Sequence, residues 1–184
     1  SGTFVTNDKH IAIEKTWLAP KQADTCQIVI QCMKLYSWDG ETHSGLAIGE
    51  AIDWDIPATS GNTGGFVTSS KLIYQRGTGT GCQDNLNRYG GMALIGIGTA
   101  ASCVDSSAAV YGAYVQSNVT YVYPTNGFVG SLIYPLMQTP GYSTIGATDD
   151  LHSMMTYFNS KTIGSNDTLY IYTVITSVRN GTSG

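Results

Sequence analysis

Residues 45–57 (GLAIGEAIDWDIP) carry a clear alternation of apolar and polar positions that stops at a proline. Strand periodicity puts Ile52, Trp54 and Ile56 on one face, the face expected to be the core. Asp53 and Asp55 then share the opposite face, about 6.5–7 Å apart along the backbone. Glu50 has the parity of Trp54, so bringing it to the aspartates requires a bulge or bend.

The same period recurs at 10–18 (HIAIEKTWL), with a turn at 20–24 after it, and through the long run 25–38. There Ile28, Ile30 and Cys32 oppose Val29, Met33 and Leu35. Apolar residues on both parities predict a central strand covered on both faces, or a bulge that flips the register. Asp39-Gly40 is a turn signal, and it predicts a hairpin with the strand that starts at Leu46. Further strands are predicted at 4–6, 71–74, 90–98 (GGMALIGIG), 108–115 (AAVYGAYV), 119–123 (VTYVY) and 168–178. Loops are expected at 58–65, 77–81 and 124–141, the last holding an apolar patch, SLIYPLM, whose type the pattern leaves open. One helix is predicted, at 148–158 (TDDLHSMMTYF). Thr148 suits the N-cap, Asp149 and Asp150 the first turn, and Leu151, Met154, Met155 and Phe158 form one face. These elements predict an all-β fold: a single antiparallel β-sandwich domain over 1–184, jelly-roll-like or supersandwich, with that one short helix.

Composition narrows the class. Charged residues make up 12% of the chain, against about a quarter in ordinary soluble proteins. Glycine (22), tyrosine (12) and hydroxyl residues take their place, and 42% hydrophobic content excludes disorder. Such a glycine-turned, hydroxyl-surfaced chain is expected in a secreted or cell-surface setting. Nine Lys and Arg, scattered under a net charge of −4, argue against nucleic acid and anionic membranes as partners. No apolar run reaches the roughly 20 residues of a membrane helix, so membrane insertion is not expected. The start at Ser1-Gly2 and the stop soon after the last strand lead to the expectation of a piece of a longer parent protein. Four cysteines favour disulfides. Cys82–Cys103 is the expected pair. Cys26 and Cys32, about 20 Å apart in an extended strand, are expected to be free, cross-paired or joined across a bulge. Zinc is not expected, for want of CxxC or clustered Cys and His; His10, His43 and His152 are far apart in sequence.

Asp53 and Asp55 repel one another unless a cation, an arginine or hydrogen-bond donors intervene. Calcium held by Asp53, Asp55, Asp84 and Asn85 is one expectation. Arg88 pairing with Asp53 or Asp55 in a structural network is the other. Carboxylate catalysis of glycoside hydrolysis is a further reading of the pair. IGIGTAA at 95–101 matches a dinucleotide fingerprint, but no helix or acidic residue follows as that site needs, so its glycines are expected to serve packing. Tyr121 and Tyr123, like Tyr170 and Tyr172, share a predicted strand face, and such pairs suit sugar stacking or a subunit interface. Asn118, Asn166 and Asn180 fit the N-glycosylation pattern.

The runs GEAIDWDIP, KLIYQRG, CQDNLNRYGGMALIG and NDTLYIYTVITSVRNG resemble an uncharacterised β-sandwich domain of large secreted, multidomain bacterial surface proteins, over about 8–181. That resemblance implies a secreted or surface sandwich and no particular chemistry. The resulting expectation is a non-enzymatic structural or assembly module that self-associates, into a filament, or contacts neighbouring domains. The alternatives are a calcium-dependent carbohydrate-binding module and, behind it, a glycoside hydrolase using Asp53 and Asp55.

Overall fold

The computed structural model describes residues 1–21, 27–56, 61–77, 88–101, 103–125, 127–143 and 149–179. Its strands are β1 (Gly2–Val5), β2 (Ile11–Leu18), β3 (Ile28–Ser37), β4 (His43–Asp53), β5 (Asn62–Val67), β6 (Leu72–Gly77), β7 (Arg88–Ala100), β8 (Cys103–Asp105), β9 (Gly112–Ser117), β10 (Gly141–Ser143), β11 (Leu151–Ile163) and β12 (Thr168–Arg179). Two helices, α1 (Asn118–Tyr121) and α2 (Gly130–Gln138), follow β9. The strands build an all-β sandwich. An eight-stranded sheet runs β1-β2-β3-β12-β7-β6-β5 with β8 attached to β7, and a four-stranded sheet runs β10-β9-β11-β4. All pairs are antiparallel except β9 with β10.

β3 is interior to its sheet, as expected, but it is buried on one face only: Ile30, Cys32, Lys34 and Tyr36 on the outer face are half-buried. Gln31, Met33 and Leu35 point inward and are buried, while β2 and β12 take its two edges. No edge of β3 remains for β4, so the predicted hairpin does not form. The Asp39-Gly40 turn instead carries the chain from the large sheet to the small one, with Gly40 at φ 81°. The expected loop at 58–65 gives way to β5 from Asn62 onward.

The predicted helix at 148–158 is a strand. β11 lies between β9 and β4, and all seven residues from Leu151 to Tyr157 are buried. Leu151, Met155 and Tyr157 face the core, while His152, Met154 and Thr156 lie on the other face. A strand buried on both faces loses its alternation, and here the apolar spacing mimics a helical stripe. The outer cover of this sheet comes from 118–138, where two further expectations reverse. Residues 119–123, read as a strand, form α1 and the start of a 3₁₀ turn at Tyr123–Thr125. Ser117 starts that turn, its Oγ accepting from the Val119 N–H. The patch SLIYPLM lies in α2 despite Pro135 in its interior. The Tyr111 hydroxyl donates to the Gln138 carbonyl and that of Tyr114 to the Thr139 carbonyl, which satisfies orphan acceptors at the helix end. Small residues receive α2: a Cβ on Gly49 of β4 would sit 2.6 Å from the Met155 carbonyl and 3.2 Å from Met137 Cε.

Between the sheets, Met33, Leu35, Ile73, Met92 and Leu94 pack against Val115, Leu151, Met155 and Tyr157. Each such side chain contributes about 1.5–3 kcal/mol when fully buried. One carboxylate shares this interior. Glu50 points inward from β4 and accepts from Lys15 Nζ at 2.6 Å, Gln31 Nε2 at 2.5 Å and Tyr157 Oη at 2.8 Å. Its partners lie on both sheets, so the network ties one to the other.

Candidate functional site

The end of β4, the start of β11 and the start of α1 meet on the covered face of the small sheet. Asp53 closes β4, Asp55 follows two residues on, and Asp150 immediately precedes β11. One carboxylate oxygen from each lies within 4.8 Å of the others. The strand parity that joins Asp53 to Asp55 is therefore realised, and the third acid comes from the segment read as a helix start. Asp150 is 7% exposed, and burial first, then the charges of Asp53 and Asp55, push its carboxyl above the usual range.

Asn118 relieves the repulsion. Its Nδ2 donates to Asp53 Oδ1 at 2.7 Å and to Asp150 Oδ1 at 2.8 Å. With both amide protons used, Asn118 Oδ1 accepts from His152 Nδ1 at 3.1 Å, which fixes the proton on that nitrogen. His152 pairs with Asp53 of β4 and Gln116 of β9. Tyr121 and Phe128 meet its ring edge-on at 5.5 and 5.3 Å. The imidazole is fully buried, its Nε2 has no hydrogen-bond partner among the described residues, and desolvation lowers its pKa to about 4.

Several expectations are corrected here. Arg88 forms no ion pair with Asp53 or Asp55; its place in the network belongs to Asn118. Asn118 is 1% exposed with its amide fully engaged, so it is no glycan acceptor, whereas Asn166 is exposed. Tyr121 and Tyr123 do not share a strand face: Tyr121 packs on His152 and Tyr123 sits in the 3₁₀ turn, 52% exposed. Tyr170 and Tyr172 do share the outer face of β12, opposite Gly98 and Gly96 of the fingerprint-like run. Cys32 is a free thiol. Asp84, Asn85, Cys26, Cys82, Asn180 and the side chain of Cys103 lie outside the described residues, and with them the expected Cys82–Cys103 bond and half the calcium shell.

As a cation site the cluster offers three carboxylates to an ion that takes 6–8 oxygens. Among the described residues, the Asn118 amide supplies the donor that offsets the repulsion; Asp84 and Asn85, the other expected ligands, lie outside them. Chemically the cluster is a lock joining β4, β11 and α1.

Sequence reading missed two further features. A groove of about 380 Å³ runs over the outer face of β6 and β7, walled by Tyr74 and Tyr89 with Gly91 between them. No pattern singled these tyrosines out, because they are brought together by strand pairing. The second is an asymmetry between the two sides of the sandwich. On the β5 side, Phe66 stacks on Tyr142 of β10 with ring centroids 4.3 Å apart and closes the gap between the sheets. On the opposite side β4 ends the small sheet, with no second neighbour among the described residues. The large sheet extends past it: Phe4 pairs with Ile13 on the inward face yet is 56% exposed, and Trp17 opposite Gln31 is 44% exposed. A cleft of about 170 Å³ between Ile11, Ile13 and Leu46 opens on that side.

No helix among the described residues is long and apolar enough to cross a membrane. No protein-family model matches the chain, and no curated protein matches it.

Proposed function

We propose that this domain is a non-enzymatic structural module that self-associates through the open side of its sandwich, in a secreted or cell-surface protein. The observation that carries the reading is the unpaired edge of β4 beside the overhanging, exposed Phe4 and Trp17. Soluble sandwiches usually blunt such edges with lysines, prolines or inward charges. β1 carries no charge and β4 no lysine or proline; the one inward charge of β4, Glu50, is paired with Lys15 inside the fold, and Asp53 is held by Asn118. A strand from a second copy, laid beside β4, gains backbone hydrogen bonds and covers both aromatics. An isologous contact of this kind gives a closed dimer, and a heterologous one gives a filament. Sedimentation velocity over a concentration series tests it. Mass-action growth in the wild type and monomers in Phe4→Lys/Trp17→Lys support the reading. A wild type that stays monomeric throughout, or a variant that assembles equally well, overturns it.

The Tyr74–Tyr89 groove supports a second reading, glycan binding by ring stacking. Glycan-array signal lost in Tyr89→Ala supports it, and an array without hits removes it.

A further inference from the structure

The three elements that meet at the sheet-to-sheet crossover bring together two histidines that are 33 residues apart and an aspartate between them in sequence. His10 immediately precedes β2, Asp39 sits in the turn after β3, and His43 opens β4. A ligand atom from each lies within 4.8 Å of the other two. The two imidazole rings are 4.6 Å apart between centroids and tilted by 31°. His43 Nε2 is 2.8 Å from Asp39 Oδ1.

The backbone holds these groups in place. The Trp38 N–H donates to the His10 carbonyl at 2.8 Å, tying the strand start to the turn. Asp39 Oδ1 also accepts from the Ser37 hydroxyl and the Glu41 N–H, both at 3.0 Å. All three bonds fall on Oδ1, and Oδ2 takes none among the described residues. An oriented carboxylate with one free oxygen, beside two imidazoles, is what a metal's outer shell ordinarily has to arrange. Asp8, whose Oδ1 accepts from the His10 N–H, and Glu41 add negative charge nearby.

We infer that His10, Asp39 and His43 form a binding site for a borderline divalent transition metal, of which zinc is the test case. Two nitrogens and one oxygen match the ligands zinc accepts, and a water completes four-coordination. Tetrahedral ligands at about 2.0–2.1 Å from the ion stand roughly 3.4 Å apart, so side-chain rotations of under 2 Å, about the difference from the present spacing, close the shell. Binding displaces the proton that His43 shares with Asp39. Because β2 belongs to the large sheet and β4 to the small one, the ion staples the two sheets where the chain crosses between them.

Calorimetric titration of metal-free protein with Zn²⁺, and the visible spectrum with Co²⁺, test the site. The expected result is one ion per chain, a Co²⁺ spectrum of tetrahedral type, and a melting temperature raised by Zn²⁺. His10→Asn and Asp39→Asn are expected to weaken binding by more than roughly tenfold, since loss of an outer-shell partner alone costs that much. Asp53→Asn/Asp55→Asn is expected to bind Zn²⁺ as the wild type does. Zn²⁺ protection of His10 and His43 from diethylpyrocarbonate, mapped by mass spectrometry, needs no variant and stands if a substitution unfolds the protein. No binding by the wild type, equal binding by His10→Asn and Asp39→Asn, or loss of binding confined to the Asp53/Asp55 variant overturns the inference.

Discussion

Replacing Glu50 by alanine removes the acceptor at the centre of the sandwich. Three donors lose it: Lys15 Nζ, Gln31 Nε2 and Tyr157 Oη. They do not suffer equally. The Lys15 side chain is 26% exposed and turns to water at little cost. Gln31 Nε2 keeps Thr173 Oγ1 at 3.3 Å. Tyr157, 3% exposed, keeps only Met92 Sδ at 3.9 Å, a poor acceptor. An unmet buried donor costs about 1–3 kcal/mol, and the space vacated by the side chain adds to it. The expected loss is about 3–5 kcal/mol, the unmet Tyr157 donor and the vacated volume taken together. For a chain of this size that is a fall of roughly 6–20 °C in melting temperature. Urea unfolding followed by tryptophan fluorescence measures it well, because Trp17 Nε1 donates to Gln31 Oε1 at 3.0 Å and reports on the same network. Tyr157→Phe removes one donor and leaves Glu50 its other two, so about 1.5–3 kcal/mol is expected. Lys15→Met/Glu50→Met, which removes the pair together, should lie closer to wild type than Glu50→Ala. A Glu50→Ala protein within about 0.5 kcal/mol of wild type, the range for an ordinary surface change, would refute the reasoning.

Three other outcomes follow from the same structure. Asn118→Ala strands a buried Asp150 and His152 and should cost about 2–4 kcal/mol in urea unfolding, more than Asp53→Ala, whose carboxylate is exposed. His152 binds a proton in the unfolded chain near pH 6.5 but in the fold only near 4, so the unfolded state holds more protons between those values and stability falls as pH drops through that window. On the order of 2–3 kcal/mol is at stake, and Asp150, with its raised pKa, slopes the opposite way; chemical denaturation at pH 7 and pH 5 should show a smaller acid loss in His152→Gln than in wild type. Gly64→Ala places a Cβ 2.7 Å from both the Tyr74 carbonyl and Val115 Cγ1, and a destabilisation of about 1–3 kcal/mol is expected in a thermal melt.

How much of this was legible depended on parity and pairing. Parity was readable: Asp53 with Asp55, Ile52 with Ile56, Tyr170 with Tyr172, and the inward turn of Glu50 all follow from a period of two. The two-sided apolar pattern of 25–38 placed β3 inside its sheet but overstated its cover, since its outer face is half-buried. The same logic failed at 148–158, because β11 is buried on both faces and its His, Ser and Thr sit inside with its methionines. Thr148, Asp149 and Asp150 then looked like a helix cap, although Asp150 belongs to the carboxylate cluster. Pairing was not readable. His10 meets His43, and Asn118 meets Asp53, only through strands assigned to different sheets or joined by a long crossover. The N-glycosylation pattern at Asn118 illustrates the point. Three residues define that motif, whereas the burial that rules it out comes from β4, β11 and the cover at 118–138.

The shortage of charge links these observations. In a protein with the usual share of lysine and glutamate, outward-facing charges along terminal strands keep edges apart. Here nine Lys and Arg serve the whole chain, and one of those nearest the open side, Lys15, reaches inward to Glu50. The pairing that stabilises the core thereby withdraws a charge from the edge. Lys15→Met/Glu50→Met consequently tests more than the core: it should leave the association of the open side intact or strengthen it, since no free edge charge is lost. A Lys15→Met/Glu50→Met protein that folds but no longer associates would mean that Lys15 acts at the interface itself, and that the apolar edge of β1, β2 and β4 does not drive assembly.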